Sequence, residues 1–181
     1  MADKPTIGFI GVGLIGHGMA ANILANGYPL VVKGIRNRAP VADLVARGAT
    51  EAATPCEMAR QCDIIHICLS TSPQVEDVIR GDDGILASGQ RGVIVIDAST
   101  GDPTSTVALA AELAQAGMTL VDAPLGRTPK EAEAGTLDAM VGCDVGGTAA
   151  GAFEGSQSDT HTHATRAPSV SHGPRKHAAT R

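Results

Sequence analysis

Gly11, Gly13 and Gly16 follow the aliphatic run Ile7-Gly8-Phe9-Ile10 with the spacing Gly-x-Gly-x-x-Gly. At a junction of strand and helix, that spacing suits the binding of a pyrophosphate by backbone alone. The first glycine turns the chain sharply, the second leaves the backbone bare for a phosphate, and the third lets the helix lie close to the sheet. Leu14 and Ile15 open the helix, whose unpaired N–H groups and positive dipole end attract an anion. Gly11, Gly13, Leu14, Ile15 and Gly16 are therefore the candidate phosphate-side residues. The chain has 22 glycines, so the spacing alone is a weak signal. The strand before it and the helical pattern from Leu14 to Asn26 supply the context. A glycine-rich loop with no ligand is the alternative.

A second cluster, Lys33-Gly34-Ile35-Arg36-Asn37-Arg38, falls where the second strand should end. A site for NAD(H) usually has an Asp or Glu there to accept the ribose 2′-hydroxyl. No acid occurs between Lys4 and Asp43. A guanidinium at this place can hold a 2′-phosphate with two hydrogen bonds, which points to NADP(H) over NAD(H). Arg36 and Arg38 as solvated surface residues are the alternative.

These candidates need a scaffold. Short aliphatic runs at 6–10, 30–35, 63–69, 92–96 and 118–121 read as strands. Helical patterns separate them, at 14–26, 40–47, 55–61, 73–79 and 103–115. Ile15, Met19 and Ile23 form a core-facing stripe on the first helix, and Gly34 interrupts the second strand as a bulge. The alternation predicts an α/β fold, a doubly wound parallel sheet of the Rossmann type. Right-handed crossovers bring the strand C-terminal ends to one edge. Gly11–Gly16, Leu69–Pro73, Ser99–Thr100 and Asp122–Thr128 should then surround one cleft.

Composition narrows the function. The net charge of −5 speaks against nucleic acid as a partner, and no apolar run is long enough for a membrane span. The start Met-Ala-Asp-Lys passes straight into the first strand, so no signal peptide and a cytoplasmic location are expected. Cys56, Cys62, Cys68 and Cys143 form no Cys-x-x-Cys pair and read as reduced core thiols. The dinucleotide-binding domain is expected over residues 1–155. Residues 156–181 hold no Leu, Ile, Phe or Met and read as a disordered tail. His161, His163, His172 and His177 lie in that tail, and a solvated segment is favoured there over a metal site.

Several pieces in order resemble the β-hydroxyacid dehydrogenase family, which includes 3-hydroxyisobutyrate dehydrogenase. They are Gly11-Val-Gly-Leu-Ile-Gly-His-Gly-Met-Ala-Ala-Asn22, Asn37-Arg38, Asp97-Ala-Ser-Thr100, Asp122-Ala-Pro124 and Gly135-Thr136-Leu137 with Met140-Val141-Gly142. The resemblance covers about residues 5–143 and implies hydride transfer between a nicotinamide and a short 3-hydroxy acid or its semialdehyde. It implies that Asn37 and Arg38 meet the cofactor, and that Leu69, Ser70, Pro73 and Thr100 line its nicotinamide side. It also implies homo-oligomers. Where the family has Ser-Gly-Gly, this chain reads Leu125-Gly126-Arg127-Thr128, similar to the sulfolactaldehyde reductase branch. Gly126, Arg127 and Thr128 are the candidate substrate residues, with Arg127 gripping a carboxylate or sulfonate. A solvent-facing Arg127 is the alternative.

The family's catalytic lysine lies in a Gly-x-x-Lys-x-x-x-Asn segment of a long helical domain. Lys176 is the only lysine after Lys130, and no catalytic role is carried onto it. The loss of apolar residues toward the C-terminus is expected of a truncated or frame-shifted product. Two functions compete: an NADP-dependent oxidoreductase, and a cofactor-binding module without turnover. A different enzyme on the same fold is the minority reading.

Overall fold

The computed structural model describes residues 4–126 and 128–142. Arg127, Cys143 and the segment read as a disordered tail lie outside the described residues.

Six strands form one parallel sheet: β1 (Ile7–Ile10), β2 (Leu30–Lys33), β3 (Thr50–Glu51), β4 (Ile64–Ile67), β5 (Ile94–Asp97) and β6 (Thr119–Asp122). Their order across the sheet is β3-β2-β1-β4-β5-β6. Ile7 stands beside Leu30 on one side and Ile64 on the other, and Ile64 continues to Ile94 and Thr119. All C-terminal ends therefore point to one edge. The crossover helices are α1 (Leu14–Ala25), α2 (Ala39–Ala46), α3 (Pro55–Gln61), α4 (Ser72–Arg80) and α5 (Pro103–Gln115). The expected Rossmann-type sheet is present.

The central strands read as unbroken aliphatic runs because both faces are covered. Phe9 and Val32 face Val41 and Leu44 of α2 on one side. Ile65 and Ile67 face Met58, Val75, Ile79 and Leu109 of α3, α4 and α5 on the other. Each such side chain contributes roughly 1.5–3 kcal/mol by leaving water. Proline opens the helices where a missing N–H costs nothing, as at Pro55 after the Thr54 cap and Pro103 after the Asp102 cap.

One local expectation is corrected. Strand β2 stops at Lys33, so Gly34 is not a bulge within it. A Cβ on Gly34 would lie 2.4 Å from Val41 Cγ2, so the glycine lets the chain leave the strand against α2. On α1, Met19 and Ile23 of the expected stripe pack half-buried against the core, Ile15 is half-buried, and Gly16, Gly18 and Ala20 are buried. A late element accounts for part of this pattern. Helix α6 (Pro129–Ala134) lies across α1 so closely that a Cβ on Gly18 would meet the Ala132 backbone at 2.7 Å. Asn22 Nδ2 donates to the carbonyls of Ala132 and Glu133 and fastens α6 in place. Before and after α6, β7 (Leu125–Gly126) and β8 (Asp138–Ala139) pair antiparallel.

Candidate dinucleotide site

The glycine turn is closed at both ends and open in the middle. Gly11 has φ +95°, and a Cβ there would stand 2.2 Å from the Cys68 carbonyl oxygen at the end of β4. Gly16 is equally tight, with its Cβ position 2.1 Å from the Gly11 carbonyl oxygen. At Gly13 a Cβ would meet nothing within 4 Å. The turn itself is held by Gly13 N–H donating to Gly11 C=O at 2.8 Å. Gly13 caps α1 without a side-chain hydrogen bond, and no acid occupies the helix's first turn. Leu14 is 84% exposed beside it. The first N–H groups of α1 and its positive end thus face open space next to a bare backbone, where an anion is stabilised.

A cleft of about 490 Å³ flanks the ends of β1 and β2. Ile10, Lys33, Ile35, Pro55, Gln74 and Val78 contribute to its walls. Gln74 and Val78 are one turn apart on α4, a pairing that the helical period already contained. Lys33 Nζ donates to the Ala53 carbonyl at 2.6 Å. Asn37 Oδ1 accepts from the Ala39 N–H at 3.1 Å and so shapes the entry to α2.

Arg38 has a partner that no residue of its own segment signals. Its Nη1 and Nη2 donate to the two carboxylate oxygens of Glu51 at 2.5 and 2.7 Å. The pairing holds the Glu51 carboxyl below its ordinary range and the guanidinium above its own. Glu51 lies on β3, opposite Val32 of β2. Another contact outside the sequence expectations joins α1 to α2: His17 Nε2 lies 2.7 Å from Asp43 Oδ2, which also pairs with Arg47.

The strand ends beyond β1 converge as the topology requires. Leu69 N–H donates to Ser99 Oγ at 2.9 Å, and Ser99 N–H donates to Asp97 Oδ1. Asp97 is 4% exposed, and burial raises its carboxyl above the usual range. Ser70 N–H donates to Gln74 Oε1, Pro73 sits in the first turn of α4, and Thr100 is exposed. A Cβ on Gly11 would also meet Leu69 Cδ2 at 2.8 Å, so the glycine turn and the Leu69 loop touch. Gly126 is half-buried in β7 beside Asp138. Thr128 is the cap of α6, and its hydroxyl and N–H both bond Glu131. Its hydroxyl is thus already engaged within the chain. Among the described residues no group of His, Cys, Asp and Glu could hold a metal, and no helix is long and apolar enough to cross a membrane.

Residues 6–152 match the model of a family described as the NAD binding domain of 6-phosphogluconate dehydrogenase. The chain is 39% identical to 2-(hydroxymethyl)glutarate dehydrogenase from Eubacterium barkeri over 142 residues, 78% of this chain and 47% of that protein. It is 37% identical to 3-sulfolactaldehyde reductase from Escherichia coli K12 over 136 residues, 75% of this chain and 45% of that protein. Among solved structures, Psf3 in complex with NADP+ and 2-OPP superposes with TM-score 0.77 at 30% identity, over 85% of this chain and 55% of that one. The chain spans about half the length of the curated relatives it matches.

Proposed function

Because the chain belongs to the family of NAD-binding domains found in 6-phosphogluconate dehydrogenase, we propose that it binds NADP(H) ahead of NAD(H) and serves the hydride-transfer chemistry of a β-hydroxyacid dehydrogenase. The substrates are short 3-hydroxy acids or their semialdehydes, as the names of its relatives suggest. One observation carries the reading: Gly11 and Gly16 are sterically filled, while Gly13 faces open space at the start of α1.

In this reading the first N–H groups of α1, from Leu14 to Gly16, hold the pyrophosphate, and Gly13 lets it approach. Asn37 and Arg38 meet the ribose and its 2′-phosphate. The cleft between Ile35 and Val78 takes the adenine end, since Ile10, Ile35, Pro55 and Val78 give it an apolar wall past β1 and β2, with Asp77, Asp82 and Asp83 also lining it. Leu69, Ser70, Pro73 and Thr100 line the nicotinamide side, and the Leu69–Ser99–Asp97 hydrogen bonds keep that wall in place. A bound nicotinamide supplies or accepts the hydride. Arg127 is the substrate's anion-binding group, next to Gly126. Thr128 serves first to cap α6, and its hydroxyl reaches a substrate only by leaving Glu131. The free thiols of Cys56 and Cys62, both buried, agree with a cytoplasmic enzyme.

A second reading is a cofactor-binding module without turnover. Lys4 bonds the Asn26 carbonyl, Lys33 bonds the Ala53 carbonyl, and Lys130 is exposed on α6. None of these three bonds the Leu69–Ser99 wall, and no lysine is assigned as the proton donor. Positioned proton transfer contributes about 10²–10⁴-fold in rate. Titration with NADPH and NADH tests the site, and NADPH oxidation with sulfolactaldehyde, succinic semialdehyde and tartronate semialdehyde tests turnover. Binding with turnover supports the enzyme reading, and binding alone supports the module. Absence of binding to either nucleotide refutes both.

A further inference from the structure

We propose that Glu51 is a specificity-determining residue, an internal anion that occupies the guanidinium fork of Arg38 and restrains the preference for a 2′-phosphorylated cofactor. The proposal rests on the reading of the turn as a dinucleotide site. Both terminal nitrogens of Arg38 donate to Glu51, at 2.5 and 2.7 Å, so its end-on edge is engaged. That two-pronged edge is the surface a phosphate would use. A carboxylate and a phosphate dianion therefore compete for this end-on edge of the guanidinium. Glu51 is well placed to compete because β3 holds it in register with Val32, next to Lys33 at the end of β2. Its side chain is 31% exposed, against 63% for Arg38, so the carboxylate is the better anchored member of the pair.

Lys33 does not release Arg38 from this competition. Lys33 Nζ donates to the Ala53 carbonyl, and it adds to the positive field that keeps Glu51 ionised. Glu51 also places a carboxylate beside the end of β2, where sites for NAD(H) usually carry an acceptor for the ribose 2′-hydroxyl. The segment from Pro5 to Ala42 contains no acid, so the neighbouring strand brings one in. One residue thus opposes the phosphate and suits the hydroxyl.

The test uses the full chain and measures the dissociation constants of NADPH and NADH by nucleotide fluorescence. Glu51→Gln keeps the shape and removes the charge. Glu51→Thr, a residue that favours strands, provides the same test if the first variant folds poorly. The NADH-to-NADPH ratio of dissociation constants is expected to rise about tenfold in either variant, because the fork becomes available to phosphate. The same substitution in an Arg38→Gln background is expected to leave the ratio unchanged within about twofold. An unmoved or lowered ratio in the single variants overturns the role of Glu51. A rise that persists without Arg38 also overturns it, since that would be a long-range charge effect. Failure of the parent chain to bind either nucleotide would overturn the site itself. Binding with an unmoved ratio would overturn Glu51 alone.

Discussion

Gly11 and Cys68 meet so closely that the Cβ of any other residue at position 11 would lie 2.2 Å from the Cys68 carbonyl oxygen. The contact joins the turn after β1 to the end of β4. Gly11 also holds φ at +95°, where side chains other than glycine are strained. Gly13, two residues on, has φ −79° and open space around it. Gly11→Ala should therefore cost about 2–4 kcal/mol of stability through steric clash and backbone strain. Gly13→Ala should change stability by less than about 1 kcal/mol. Gly13→Leu should weaken NADPH binding at least about tenfold, since its side chain fills the space left for a phosphate. Urea denaturation and nucleotide titration of the three variants measure these outcomes. Equal stability losses at positions 11 and 13 would refute the division between a filled and an open glycine.

Asn22 ties α6 to α1 by donating to the carbonyls of Ala132 and Glu133 at 2.9 and 3.1 Å. Asn22→Ala removes those donors while the carbonyls remain. A loss of about 1–2 kcal/mol is expected, with faster amide exchange across Pro129–Ala134. Hydrogen exchange resolved by peptide reads the effect. Unchanged exchange there would show that the α1–α6 packing suffices alone.

His66 stacks on Phe9, with ring centroids 5.6 Å apart and planes 9° from parallel. Its Nδ1 is buried with no hydrogen-bond partner, and burial pushes its pKa down to about 4. An unfolded histidine titrates near about 6.5. Below that pH the unfolded chain binds a proton that the folded chain refuses, so this group's stability contribution falls as pH drops from about 6.5 toward about 4. Below about 4 the loss is complete. His66→Phe keeps the stack and abolishes that dependence. The variant should be more stable than the parent by about 1 kcal/mol or more at about pH 5, with a smaller gain at about pH 7.5. An identical gain at both pH values would reject the titration of His66 as the cause.

Cys62 and Cys68 have their thiols pushed up to about 12 and about 11, chiefly by burial. The thiolate is the reactive form. At about pH 8 in the native state, neither should be alkylated by iodoacetamide within about an hour, and both should label once urea unfolds the chain. Peptide mass spectrometry assigns the label. Rapid native labelling of Cys62 would mean that α3 opens away from Gly8, whose Cβ position lies 3.2 Å from Cys62 Sγ.

The order of strands and helices is legible in the chain because each element carries its own signal. The aliphatic runs of β1, β4 and β5, the helix-opening prolines Pro55, Pro73 and Pro103, and the glycine spacing at 11–16 are local patterns with local causes. The family resemblance is equally legible, since the motifs stand in order at the strand ends. The stripe on α1 marks the apolar face that packs on the core, but its period cannot reveal that α6 returns to cover Gly18. The capping role of Thr128 is not legible, because its partner Glu131 belongs to a helix too short to register as a period.

Sequence alone determined five of the sheet's six strands, the glycine turn and the cationic end of β2, because those depend on residues within about one helix or strand of each other. Tertiary structure decided which groups meet. Glu51 is 13 residues from Arg38 along the chain, Ser99 is 30 from Leu69, and Ala132 is 110 from Asn22. Parallel strand order brings the first two pairs together and the return of α6 onto α1 the third, and no periodicity in a chain encodes which element becomes whose neighbour. The turn at Gly11–Gly16 is therefore readable from its own residues. The acid facing Arg38 becomes visible only when β3 is laid beside β2.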